Sequence, residues 1–273
     1  MLLEKYYVLV YTLVIRVLLR KCCMKETKMM SVFNKYIKKF DMNKGNVKET
    51  YFHSLKMMDL CKDIARSLGI FTEEEIIICG FIGLFHDIGS FSNKNKYIFF
   101  LNQATDISKK SVDIIFDSNK LIRDITDVTI YDDVIKVSIY CHNKVGLPNG
   151  LTDKMAHFCK VLKDAHTLDD FRMVINYPYL DMHIDNFPSS MVYDVFKKYN
   201  VISTKVSDND ADNILQVLSL VFGVNYLYTY KILKDEAYID KLILSLRTKN
   251  KDIRNFFTQI GAVLNMFIDQ RLG

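Results

Sequence analysis

The chain has 273 residues, 49% of them apolar, with 10 Gly, 3 Pro and no Trp, which excludes a disordered or fibrous protein and suits a compact, helix-rich one. Its formal charge of +5 is mild, and 32 acidic residues are interspersed among 37 basic ones, so no dedicated nucleic-acid surface is expected. The six cysteines, Cys22, Cys23, Cys61, Cys79, Cys141 and Cys159, include no CxxC pair. They fit buried thiols in a reducing compartment, hence a cytoplasmic protein, and not a disulfide framework or zinc knuckle.

Residues 1–23 stand apart. The apolar run Tyr6 to Ile15 is too short to span a bilayer and is followed by Arg16, Arg20 and Lys21. An extra packed helix, an extension dispensable to the fold and a membrane-surface anchor all remain open for this segment. From Ser31 the pattern becomes regular, with Val32, Tyr36 and Phe40 on one helical face. A helix is predicted over about Val47 to Leu68, ending at Gly69 and carrying His53, Met57, Leu60, Cys61 and Ile64 on its buried face. Thr72 and Glu75 form a capping box for the next helix, whose apolar body runs from Ile76 to Ile88 with Gly89 placed to end it. Gly83 within it predicts close approach by a neighbouring helix.

YIFFL at residues 97–101 is a candidate lid or short helix. Helical rhythm returns over Asp106 to Phe116, Leu121 to Val128 is another short apolar segment, and Tyr131 to His142 gives a further helix. Thr152 caps a helix with Met155, Phe158, Cys159, Leu162 and Ala165 that delivers Asp164 and His166. Further helices are predicted around Leu215 to Phe222, Leu227 to Leu233 and Ile253 to Leu264. Strand-like alternation is rare, so the expected class is all-α.

The central stretch is CGFIGLFHDIGS, Cys79 to Ser90. Adjacent helical residues point about 100° apart, so His86 and Asp87 reach one ion only near a helix end or across a crowded centre. With His53 and Asp164 they would supply two nitrogens and two carboxylates, suited to Mn, Fe, Co, Ni or Zn and less to Mg. The same residues also suit hydrogen-bonded core positions. His157 and His183 lack such company.

The segments YFHSLKMMDLCKDIA (Tyr51 to Ala65), GLFHDIGSF (Gly83 to Phe91), YCHNK (Tyr140 to Lys144) and KDAHTLDDFR (Lys163 to Arg172) resemble, in order and spacing, the HD superfamily of metal-dependent phosphohydrolases. The resemblance covers about residues 31–268. It implies an HD-type helical bundle over 31–175, with the apolar extension 1–23 before it and additional helices 176–273 packed on it. His53, His86, Asp87 and Asp164 become the implied metal ligands, and His142 an additional histidine for a second ion or phosphate. Three positions depart from the pattern. Ile107 stands where two-metal relatives carry a histidine, Ser90 where a basic residue often follows HDIG, and His166 at the second acid of a DAD-like segment, where it offers an alternative ligand.

The implied activity is hydrolysis of a small phosphomonoester or nucleotide with one divalent transition metal. Asp87 and His142 are the candidates for proton transfer, and Lys144 and Arg172 for phosphate oxygens. A small phosphorylated molecule is the expected partner. The alternative is a non-enzymatic metal- or nucleotide-binding regulatory module with a degenerate site. A di-iron oxygenase needs six ligands, which Ile107 disfavours.

Overall fold

Helix α1 (Glu26–Ile37) buries Met29, Val32, Phe33, Tyr36 and Ile37 along one face and leaves Lys28 and Lys35 in solvent. It opens upstream of Ser31, where the apolar rhythm was expected to begin. The structure is a computed structural model, and it describes residues 24–92, 107–144, 146–176, 184–203 and 206–273. Residues 1–23, the candidate lid at 97–101 and His183 lie outside the described residues.

Helix α2 (Gly45–Leu68) buries His53, Met57, Leu60, Cys61 and Ile64 and stops at Gly69, whose φ of 63° is a left-handed conformation that favours glycine. In α3 (Glu73–Phe85) the Thr72 hydroxyl accepts from the Glu75 amide while the Glu75 carboxylate accepts from the Thr72 amide. The capping box places three acidic residues at the positive end of the helix. Ile76, Ile78, Phe81, Ile82, Leu84 and Phe85 are all buried, each contributing about 1.5–3 kcal/mol of transfer free energy. Glu73 to Ser92 is the stretch among the described residues long and apolar enough to cross a membrane, but 83% of its most apolar 18-residue window is buried inside the fold. Its hydropathy is that of a core helix.

Two glycines set this centre. A Cβ on Gly83 would lie 2.4 Å from the Met57 carbonyl oxygen and 2.9 Å from Cys61 Sγ, so α2 and α3 are in near backbone contact. Gly83→Ala must push the helices apart, and its unfolding free energy is expected to fall by about 2–3 kcal/mol, measured by urea denaturation. Gly89 does not end the α-helix, which stops at Phe85 and gives way to a 3-10 turn over Ile88–Ser92. Gly89 is instead a packing point. Its amide donates to Ser111 Oγ at 3.1 Å, and a Cβ there would come within 3.1 Å of the Ile107 carbonyl oxygen.

Ile107 opens α4 (Ile107–Asp113), which continues as a π-helical turn over Ile114–Ser118. Then come α5 (Leu121–Ile125), α6 (Asp132–Cys141) and the long α7 (Asp153–Asn176), where Thr152 Oγ1 accepts from the Met155 amide. The chain closes with α8 (Ser190–Lys197), α9 (Asp210–Ser219), α10 (Leu227–Asp235), α11 (Tyr238–Ser245) and α12 (Lys251–Leu272). Helix α7 packs on α2, α3 and α6 and also on α10 and α11, so it joins the N-terminal helices to the C-terminal ones. No strand occurs among the described residues, and the fold is all-α: an HD-type arrangement of helices with extra C-terminal ones.

A candidate metal centre of three histidines and an aspartate

Four elements meet where α3 ends. His53 comes from the buried face of α2, His86 and Asp87 from the turn after α3, His142 from the residue that closes α6, and His166 from α7. The donor atoms of His53, His86, Asp87 and His166 all lie within 4.8 Å of one another. His86 Nε2 is 3.1 Å from His53 Nε2 and 3.0 Å from His166 Nε2. His53 and His86 are fully buried and Asp87 nearly so.

Each ring has an acceptor on its Nδ1 side. His53 Nδ1 donates to Asp169 Oδ2 at 2.6 Å, His86 Nδ1 to the Gly83 carbonyl at 2.8 Å and His142 Nδ1 to the Ile139 carbonyl at 2.7 Å. His166 Nδ1 faces Asp170 Oδ1 at 3.6 Å. A proton held on Nδ1 leaves a lone pair on Nε2 of a neutral imidazole. The inward-facing nitrogens of His53 and His86, 3.1 Å apart, can share this space with a proton on one ring or with a cation bound between them. Orientation of the rings from behind is also what a metal-ligating histidine requires.

The electrostatics agree. Burial, reinforced by the neighbouring imidazoles, holds His86 well below the usual histidine range and His166 at about 3, so both are kept as neutral donors. Burial opposes a charge on His53, but the hydrogen bond and charge of Asp169 outweigh it and raise its pKa. Burial likewise opposes ionisation of Asp87, yet His86 and His142 hold its carboxyl well below the ordinary value. Asp169 is held at about 2 despite burial by His53 and by Arg172, whose Nε donates to Asp169 Oδ1 at 2.6 Å. Burial raises Asp170 to about 8; His53 pulls against this, while Asp169 and Asp87 add to it.

Several expectations meet a different placement. Asp164 is not brought to the cluster. Its buried carboxylate accepts from the Asn225 amide at 3.0 Å, Asn225 Nδ2 at 2.8 Å and the Tyr226 amide at 3.0 Å, at the start of α10. Residues 164 and 166 point about 200° apart around a helix, so the rotation that carries His166 inward turns Asp164 to the opposite flank. Burial raises Asp164 to about 6 in spite of these bonds. Arg172 is committed to Asp169, behind His53. Lys144 is exposed, its ammonium 3.3 Å from the Tyr140 ring centroid. Ser90 is buried, with no hydrogen-bond partner for its hydroxyl among the described residues. His157 Nδ1 meets the Tyr226 hydroxyl at 2.9 Å, away from the centre.

His142 is brought to the cluster's edge, with Nε2 3.4 Å from Asp87 Oδ1 and its ring stacked on His166 at 5.2 Å. Lys163 on α7 donates to the carbonyls of His142 and Lys144, fastening this loop to the helix that carries His166. Sequence reasoning missed Asp169 and Asp170. The signal was present: His166, Asp169 and Asp170 are spaced i, i+3 and i+4 and so share one helical stripe, and Asp164 lies off that stripe.

Three imidazole nitrogens and one carboxylate oxygen fit a divalent first-row metal. Asp169→Asn, which weakens the acceptor behind His53, is expected to lower metal affinity about 10–100-fold while leaving the protein folded, measured by competition titration.

Among models of known protein families, that of the HD domain matches residues 50–169. No curated protein and no solved structure matches the chain.

Proposed function

Residues 50–169 belong to the HD-domain superfamily, and from that premise we propose that the chain is a metal-dependent phosphohydrolase acting on a small phosphomonoester or nucleotide. The observation that carries the reading is the convergence of His53, His86, Asp87 and His166, in which every ring has an acceptor on its outer side. These four residues would hold one divalent ion, which when bound would acidify water and neutralise phosphoryl charge. Asp87 is the one carboxylate among the four, so the centre carries little negative charge to repel a phosphate.

The chain's own residues supply the rest. Asp87 stays ionised and orients water by accepting its hydrogen bond. His142, anchored through Nδ1 to Ile139, presents Nε2 beside Asp87; it takes the proton released when water attacks phosphorus and returns it to the alcohol oxygen that departs as the ester P–O bond breaks. The aromatic and aliphatic packing around α3 keeps bulk water from the back of the site.

A second reading is supported by a specific observation: of the two expected phosphate-binding cations, Arg172 is ion-paired with Asp169 and Lys144 lies over the Tyr140 ring. Together with Ile107 and Ser90, this favours a non-enzymatic metal- or nucleotide-binding module. The two readings separate in one assay. Protein reconstituted with each divalent ion is offered p-nitrophenyl phosphate and a panel of nucleoside monophosphates. The hydrolase reading expects metal-dependent turnover that falls at least about 100-fold in Asp87→Asn and His142→Ala. Absence of turnover at one bound ion per chain would leave the module.

A further inference from the structure

We infer that His166 makes this a nitrogen-dominated centre that takes a single ion of the zinc class and discriminates against manganese and magnesium. The inference rests on the metal-dependent reading above and concerns which ion the site selects.

Three observations carry it. The first is the donor count: of the four converging groups, three present imidazole nitrogen and one presents oxygen. The second is that other carboxylates near the cluster have other partners. Asp164 is taken by Asn225 and Tyr226, and Asp169 by His53 and Arg172. Asp170 lies on the outer, Nδ1 side of His166, 3.6 Å from it, where a carboxylate orients a ring. The third is that His166 belongs to the cluster geometrically, with Nε2 3.0 Å from His86 Nε2 and its ring 5.3 Å from that of His53.

The chemistry follows from ligand preference. Mg²⁺ is a hard ion suited to an oxygen shell, and Mn²⁺ shares the preference for carboxylate and water. Imidazole favours Zn²⁺, Fe²⁺, Co²⁺ and Ni²⁺, and the affinity gap between Mn²⁺ and Zn²⁺ widens as nitrogen replaces oxygen. Converting His166 to a carboxylate returns one oxygen donor to the same helix position and narrows that gap.

The test uses the full chain stripped of metal and titrated with Zn²⁺ and with Mn²⁺, wild type beside His166→Asp. Wild type is expected to prefer Zn²⁺, and His166→Asp to reduce the Zn²⁺/Mn²⁺ affinity ratio at least tenfold. An unchanged ratio in a variant that still binds both ions overturns the inference. In parallel, ¹⁵N NMR of the histidine rings of the wild type is followed as Zn²⁺ is added, which does not depend on the variant folding. The inference expects His166 Nε2 to move with those of His53 and His86. Movement of His53 and His86 with His166 unmoved overturns the inference and leaves the metal-dependent reading standing. No binding of either ion by the wild type overturns both.

Discussion

His86→Ala is expected to leave a folded protein that binds the metal about 100-fold or more weakly than wild type, so that an ion at about 100 times the wild-type Kd fills about half of the variant sites or fewer. His86 Nε2 sits between those of His53 and His166, so its loss removes the donor that the other two share. Loss of one of four ligands weakens an ion of this class by a factor of about 100 or more, on the scale by which even supporting residues behind a ligand act. Stability gives a second readout. An ion at 100 times its Kd stabilises the folded state by about 2.7 kcal/mol, which in a chain of this size raises Tm by roughly 5–10 °C. At the same ion concentration that metal-induced rise should fall to about a sixth or less in His86→Ala. Metal-free variant and metal-free wild type should melt within several degrees of each other, since the hydrogen bond that the ring makes outside the cluster is the one to the Gly83 carbonyl. Calorimetry with and without added Zn²⁺ checks both statements, and a variant that keeps the full metal-induced rise would contradict the assignment of His86.

Asp164→Ala acts on a different property. The buried carboxylate accepts from two backbone amides and one side-chain amide at the point where α10 begins, and alanine takes this acceptor from the Asn225 and Tyr226 amides, while Asn225 Nδ2 keeps the Gly223 carbonyl. Unsatisfied buried donors each destabilise by about 1–3 kcal/mol, partly offset because a buried carboxylate is itself expensive, as its raised pKa of about 6 indicates. The net loss is expected to be about 3–4 kcal/mol, or roughly 6–16 °C in Tm. Asp164→Asn, which keeps one acceptor and the shape, should lose less than half of that. Metal stoichiometry should be close to wild type in whichever Asp164 variant remains folded. A metal-free but fully stable Asp164→Ala would refute the structural role.

The contrast between Asp164 and His166 shows what local sequence carries and what it does not. His53 was legible because it recurs with Met57, Leu60, Cys61 and Ile64 at helical spacing, and the capping box at Thr72 fixed where α3 starts. His86 and Asp87 stood out because an apolar helix ends on them. Gly83 announced the close contact of α2 and α3, whereas Gly89 suggested a helix end and is instead where α4 packs on the turn. The third helix's contribution was less legible. Helix α7 is buried against neighbours on several flanks, so periodicity does not fix its rotation. The rotation is held by Asn225 and Tyr226, which bind Asp164 from 61 and 62 positions along the chain, and by Lys163 on the loop after His142. Such long-range partners leave no trace in the local pattern. The polar stripe of His166, Asp169 and Asp170 did leave one. Arg172 suited a phosphate contact and a salt bridge within its own helix equally well, and its i+3 spacing from Asp169 matches the ion pair it forms.

The central claim is that His166, and not Asp164, completes the centre with His53, His86 and Asp87. Elemental analysis of folded His166→Ala and Asp164→Asn, each dialysed against Zn²⁺ beside wild type, tests it most directly. About one ion per chain is expected in wild type and Asp164→Asn and well under half an ion in His166→Ala. A full complement in His166→Ala with loss from Asp164→Asn would contradict it and return the site to two histidines and two aspartates.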